Sequence, residues 1–212
     1  YCFALSILLG DTAYADGVEI RPADIYADVA ENHRLPKTAA VPPGVYYDKF
    51  KQWTDAGCSV VHIGLSSAIS SSYQNACTAA AEFENVYVVD SRNLSTGIAL
   101  LVLDAAERAE KGEDPKEIAA LMRETAKKVE ASFVIDTLFY LQKGGRCSTL
   151  AALGANLLKL KPCIEVKDGK MGVGKKYRGN FANVIIQYTH DRLADLNSID
   201  PRRIFVTYAP GT

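Results

Sequence analysis

Five serine hydroxyls fall within seven residues in the run Ser66-Ser67-Ala68-Ile69-Ser70-Ser71-Ser72. An apolar stretch, Val60-Val61-His62-Ile63-Gly64-Leu65, precedes the run, and Tyr73-Gln74-Asn75-Ala76-Cys77 opens an amphipathic pattern after it. A strand that ends in hydroxyls and feeds a helix is equipped to hold an anion. The first N–H groups of a helix have no intrahelical partner, and the macrodipole places about half a positive charge there. Hydroxyls at the same point donate to carboxylate or phosphate oxygens. The competing reading is local: Ser70 or Ser71 simply caps the helix N-terminus.

Other candidate residues are sparser. Asp90 follows the next apolar run, Val86–Val89, where it reads as a strand-end cap or as a lining residue of the same site. Arg146 follows Gly144-Gly145, a tight turn that lets backbone approach a ligand or partner; the plain alternative is a surface arginine. Gly144-Gly145-Arg146 lacks the trailing Lys-Ser/Thr of a P-loop. His62 sits within the strand pattern and reads as a packed core histidine. No Gly-x-Ser-x-Gly and no serine–histidine–carboxylate spacing points to a hydrolase, so no catalytic residue is assigned. The cysteines (Cys2, Cys58, Cys77, Cys147, Cys163) and histidines (His33, His62, His190) are dispersed, without metal-ligand spacing, so no metal or cofactor is expected.

The elements that must position these residues follow a strand–helix rhythm. Strands are expected at 3–9, 12–15, 59–65 and 86–89, and helices at 22–32, 45–56, 72–83, 95–111 and 115–129. Pro22 suits a first helical turn, Gly57 and Gly112 stop helices, and Asp114-Pro115 caps and starts one. Three prolines between Leu35 and Gly44 imply a stiff, irregular loop. The alternation argues for a parallel α/β sheet, whose ligands sit beyond the carboxyl ends of strands. The second half differs: a strand at 132–135, a short helix at 137–141, an apolar helix at 150–158, a hairpin over 162–173, a helix at 180–196 and a strand at 204–208. Lys167-Asp168-Gly169-Lys170 reads as the hairpin turn and nothing more. The change of character places a domain boundary near Glu130–Ser132, giving an N-terminal α/β domain over 1–130 and a C-terminal one over 131–212.

Apolar content of 48% and charged content of 23% over 212 residues are those of an ordinary globular protein with a sizeable core. A net charge of −1 gives no electrostatic case for nucleic acid, and a DNA-binding regulator is the weakest class. No run of about 18 apolar residues suggests a membrane span. An odd, scattered cysteine set favours reduced thiols in a cytoplasm. Tyr1-Cys2-Phe3 begins within an apolar run and Ile204–Tyr208 lies near the other end, so the chain reads as truncated at both ends.

Taken together, several segments resemble the DegV family. Asp16-Gly17-Val18-Glu19-Ile20 is similar to its D-G-V-D-I segment, and Pro36-Lys37-Thr38 to its P-K-T-S loop. Ser66-Ser67-Ala68-Ile69-Ser70-Ser71-Ser72-Tyr73-Gln74 resembles S-S-x-L-S-G-T-Y-Q, and Asp90-Ser91 follows at the next strand end. The most specific likeness is Phe133-Val134-Ile135-Asp136-Thr137-Leu138, then Tyr140-Leu141 and Lys143-Gly144-Gly145-Arg146. Lys161-Pro162 and Lys167-Asp168-Gly169-Lys170 continue it in order. Ser71 stands where the family usually has Gly, and Ala39-Ala40 where it often has Ser-Gln. The family's N-terminal T-D-S-T/S strand and C-terminal G-x-H-x-G-P-G segment have no counterpart in this sequence.

The resemblance implies a bacterial two-domain α/β protein with mixed or parallel sheets flanked by helices, binding one long-chain fatty acid between its domains. It implies that Thr38 and Ser70 hold the carboxylate, with Ser67, Ser71, Asp90 and Arg146 as secondary candidates. It further implies a protein that is non-catalytic alone and presents the carboxylate to an ATP-dependent fatty acid kinase partner, which forms acyl phosphate. The rival reading is a phosphatase or phosphotransferase using the same anion site.

Overall fold

The computed structural model describes residues 1–147, 149 and 160–208. Strand β4 (Val60–Gly64) pairs in parallel with β5 (Val86–Asp90), in the register Val60↔Val86 to Gly64↔Asp90. Both strands therefore end at the same level, and the chain leaves both at one rim. Helix α3 (Ser72–Ala80) forms the crossover between them. The pair is sandwiched. On one side, Val86 and Val88 meet Ala76, Ala79 and Ala80 of α3 together with Tyr46 and Phe50 of α2 (Pro43–Asp55). On the other, Val89 meets Leu101 of α4 (Thr96–Glu110) and Ile118, Ala119, Met122 and Ala126 of α5 (Pro115–Ala126). Alternation along β5 sends Val86 and Val88 to one face and Val89 to the other, as a strand buried on both faces requires. The Asp114 carboxylate accepts the N–H groups of Lys116 and Glu117 at 2.9 and 3.1 Å and so fixes the start of α5.

A second sheet, of three antiparallel strands, has the order β2-β1-β3, formed by β1 (Ser6–Leu9), β2 (Thr12–Ala15) and β3 (Lys37–Ala39). Helix α1 (Pro22–Asn32) packs Ile25 near Ile7, Leu9 and Ile20. The third sheet, order β6-β7-β8, is built from β6 (Ala131–Val134), β7 (Lys161–Lys167) and β8 (Lys170–Tyr177), all antiparallel. Helix α6 (Phe139–Gly144) precedes β7 and ends at Gly145, whose φ is +71°. Helix α7 (Phe181–Arg192) lays Val184 against Val134, Cys163 and Tyr177. Among the described residues no strand of this sheet pairs with a strand of the other two.

Several expectations are corrected. Among the described residues the parallel sheet has two strands, and the other two sheets are antiparallel. The proline-flanked segment contains β3, because Lys37–Ala39 falls between Pro36 and Pro42 with its N–H groups free to pair with β1. The short helix spans Phe139–Gly144 rather than 137–141. Residues 204–208 form no strand; they lie exposed, with Val206 85% and Tyr208 80% accessible, and an unpaired segment has no ladder to join. The helix expected at 150–158 lies outside the described residues. Among the described residues no helix is long and apolar enough to cross a membrane.

Candidate functional site

The hydroxyl run occupies the rim where β4 and β5 end. Each serine there has a distinct role. Ser66 is fully buried; its carbonyl accepts the amides of Ile69 and Ser70 at 2.9 and 3.1 Å, closing the turn. Ser67 donates its hydroxyl to Asp90 Oδ2 at 2.5 Å, and its amide reaches Oδ1 at 3.2 Å. The Asp90 carboxylate also accepts the Arg92 amide at 2.8 Å. Ser67 and Asp90 are thus brought together, and their bonds tie the two strand ends to each other.

Ser71 is the N-cap of α3, but its side chain makes no capping hydrogen bond, and it is exposed. The capping bond comes from Ser70, whose Oγ accepts the Ser72 amide at 3.1 Å. The Ser70 hydroxyl in turn donates to Ser72 Oγ at 3.0 Å. The helical ladder begins with the Asn75 amide on the Ser71 carbonyl at 2.9 Å. The amides of Tyr73 and Gln74 precede it and have no protein acceptor among the described residues, so α3 carries free first-turn donors, with no acidic residue in that turn itself although Asp90 stands on the same rim.

Thr38 lies at the centre of β3, opposite Ile7, and is exposed. Three residues later the chain is fastened to α3. The Val41 amide donates to Ser72 Oγ at 3.3 Å, and Asn75 Nδ2 donates to the Val41 carbonyl at 2.8 Å. Val41 is itself buried. The strand carrying Thr38 therefore exits directly onto the helix start that Ser70 caps. Ser72 is the junction, and sequence reasoning missed it as anything beyond the first helical residue. It accepts from Val41 and Ser70 and sits beside Tyr46, whose phenol is pushed up by burial and drawn partly back by the Ser72 hydroxyl. The usable signal was the spacing of Ser72 and Asn75, which places both on the first turn of α3.

Arg146 is elsewhere. It is exposed, and its guanidinium donates to the Gly144 carbonyl at 2.6 Å. His62 packs its ring against Phe3, Tyr46 and Phe50 at centroid distances of 5.4, 5.2 and 5.9 Å. Its Nε2 is sealed from water without a hydrogen-bond partner, and burial depresses the imidazole pKa to about 4. None of the rim serines bonds to it. Among the described residues the rim hydroxyls therefore have no imidazole base hydrogen-bonded to them. Among the described residues no three His, Cys, Asp or Glu side chains are grouped to hold a metal ion.

A cavity of about 540 Å³ opens where the third sheet meets the rim; Arg92, Lys127, Glu130, Glu165, Lys167 and Arg192 are among its lining. Neither Thr38 nor Ser70 borders it. Its cations are already matched, Arg92 with Asp168, Lys167 with Glu165 and Arg192 with Glu130. A charged wall of this kind is unsuited to an apolar ligand.

The comparisons with known proteins agree with this architecture. A DegV domain-containing protein of Clostridium perfringens is 34% identical over 175 residues; the match takes in 82% of this chain and 63% of that protein's length. This chain thus spans less than two thirds of that relative. A solved structure described as fatty acid binding of a DegV family protein from Thermus thermophilus superposes with a TM-score of 0.80 at 28% identity, covering 89% of this chain and 68% of that one. The structure of a stearic acid-binding protein from Eubacterium ventriosum gives a TM-score of 0.80 at 27% identity, covering 92% and 70%. A family model described as "Uncharacterised protein, DegV family" matches residues 1–211. The chain belongs to the DegV family.

Proposed function

We propose that this chain binds a long-chain fatty acid, with the carboxylate held at the N-terminus of α3 by Thr38 and Ser70, and that it hands that carboxylate to an ATP-using partner which converts it to an acyl phosphate. The observation that carries this reading is the fastening of the β3 exit to the α3 start through Val41, Ser72 and Asn75, beside amides that have no protein acceptor among the described residues. The fatty-acid-binding proteins of Thermus and Eubacterium share the architecture and support the ligand class.

Binding needs one rearrangement. The Ser70 proton now serves Ser72, and it must turn to the incoming carboxylate. That exchanges a neutral acceptor for a charged one, roughly doubling the strength of the bond. The tail supplies most of the affinity, at about 0.8 kcal/mol per buried methylene. The clamp, at roughly 1.5–3 kcal/mol for each bond to the charged group, fixes orientation. Two lobes, 1–130 and 131–212, with the ligand between them, are part of the same proposal; separate sheets on either side of residue 130 support it. So is Arg146 as an exposed cation facing the partner. The dispersed cysteines, none of them in a disulfide, support a reducing, cytoplasmic setting.

The test is Thr38→Ala with Ser70→Ala, assayed by fatty acid titration and thermal melting. The expected result is an affinity about a hundred- to ten-thousandfold weaker, still measurable because the tail supplies most of the affinity, with a larger fall in acyl phosphate formation by a partner kinase. A lowered melting temperature for Ser70→Ala with unchanged affinity would show Ser70 to be a cap alone.

A further inference from the structure

The turn that presents Ser70 is organised by Ser66, and Ser66 is organised from a distance. Its carbonyl holds the amides of Ile69 and Ser70, its Oγ accepts the Ala68 amide at 3.3 Å, and its amide donates to the Asn93 carbonyl at 3.0 Å. The single hydroxyl proton goes to the carbonyl of Gly169, at 2.7 Å and 103 residues away, in the turn between β7 and β8. Asp168 and Gly169 both have positive φ, +50° and +77°, as a tight hairpin turn demands. The approach leaves no room for a side chain. A Cβ on Gly169 would lie 2.5 Å from Ser66 Oγ, whereas its next neighbours, Ala68 Cβ and Arg92 Cα, would be at an ordinary 3.7 Å. The Arg92–Asp168 ion pair at 2.7 Å spans the same junction, but Asp168 is 90% exposed, so water screens it and the buried Ser66–Gly169 bond carries the junction.

We infer that Gly169 is a positioning residue for the anion-binding turn: the β7–β8 hairpin grips the Ser66 hydroxyl, Ser66 holds the Ser70 amide, and the second half of the chain thereby sets where Ser70 stands. This inference rests on the reading of Ser70 as a carboxylate ligand. It gives the hairpin turn a role beyond the reversal of chain direction expected from sequence. It also specifies an asymmetry. Adding a methyl group at Gly169 carries the backbone strain of a positive φ, which Gly112 shares, and one close clash, with Ser66 Oγ; removing that atom should remove the damage at residues 68–70 that the clash adds.

The experiment measures amide hydrogen exchange at Ala68, Ile69 and Ser70 in the ligand-free protein, and fatty acid affinity, for Gly169→Ala, Ser66→Ala and the double variant. Gly112→Ala is the control; Gly112 has the same φ of +77° with open space around it. Gly169→Ala and Ser66→Ala should each accelerate exchange at residues 68–70 by about tenfold or more while core amides of α4 and α5 stay protected. Each should weaken fatty acid binding by up to about ten- to a hundredfold, the fold-change for one lost bond to a charged group. The double variant should be no worse than Ser66→Ala alone, and Gly112→Ala should leave exchange at residues 68–70 unchanged. Unchanged exchange at 68–70 in Gly169→Ala, or additive effects in the double variant, would overturn the inference. If the unaltered chain binds no fatty acid, the ligand reading fails on its own, and the exchange arm still decides the link between Gly169 and the turn.

Discussion

His62→Phe isolates the cost of protonating an imidazole that has no partner. In the folded chain His62 is only half-buried as a residue, yet its Nε2 is shut off from water among aromatic rings. Burial holds its pKa at about 4, against 6.5 when exposed. As pH falls, the unfolded chain takes up the proton first. Stability is therefore intact above pH 6.5 and is lost progressively down to about pH 4. The drop from 6.5 to about 4 corresponds to about 3 kcal/mol once both states are protonated. At pH 5, with the unfolded state almost fully protonated and the folded state barely so, the loss is about 2 kcal/mol. Tyr46, which faces the ring, has its pKa raised by burial and stays neutral across this window. Urea unfolding of the unaltered chain and of His62→Phe at pH 7 and pH 5 gives the comparison. Carboxylates titrate alike in both and cancel. The unaltered chain should lose about 2 kcal/mol more than the variant over this range. Equal losses would refute the claim that the imidazole is dehydrated and unpaired.

Two further variants probe the frame that carries the rim. Phe50→Ala removes a fully buried ring from the layer between α2, α3 and the parallel strands; it should cost about 3–5 kcal/mol, read from the denaturant midpoint at unchanged slope. Asp114→Ala deletes the carboxylate that accepts two α5 amides; it should cost about 1 kcal/mol in the same assay and leave fatty acid affinity alone.

What was legible in the sequence follows from how local each signal is. The β4–α3–β5 unit announced itself through apolar runs of strand length, and the helices around it through Gly57 after α2, Gly112 after α4 and Asp114-Pro115 at the start of α5. The Asp168-Gly169 hairpin did so through its turn residues. Strand β3 did not, since three residues between prolines carry no periodicity, and their strand character arises only from pairing with β1. Ile204-Phe205-Val206 has strand-forming composition, but propensity without a partner makes no ladder. The site divides the same way. Ser70 and Ser71 were visible at a helix start, but which of them engages the first turn depends on backbone geometry: Ser71 takes the N-cap position while Ser70 supplies the bond. The contact of Ser66 with Gly169 joins residues 103 apart and leaves no trace in either local sequence.

The central claim is that the chain holds a fatty acid by its carboxylate at the start of α3. Native mass spectrometry of the protein purified from bacteria tests it most directly, with denaturing spectra of the same sample to identify what is released. The expected spectrum is a one-to-one adduct whose released species is a long-chain fatty acid, depleted in the Thr38→Ala, Ser70→Ala variant. A spectrum of the bare chain alone, still bare after incubation with added fatty acids, would contradict it.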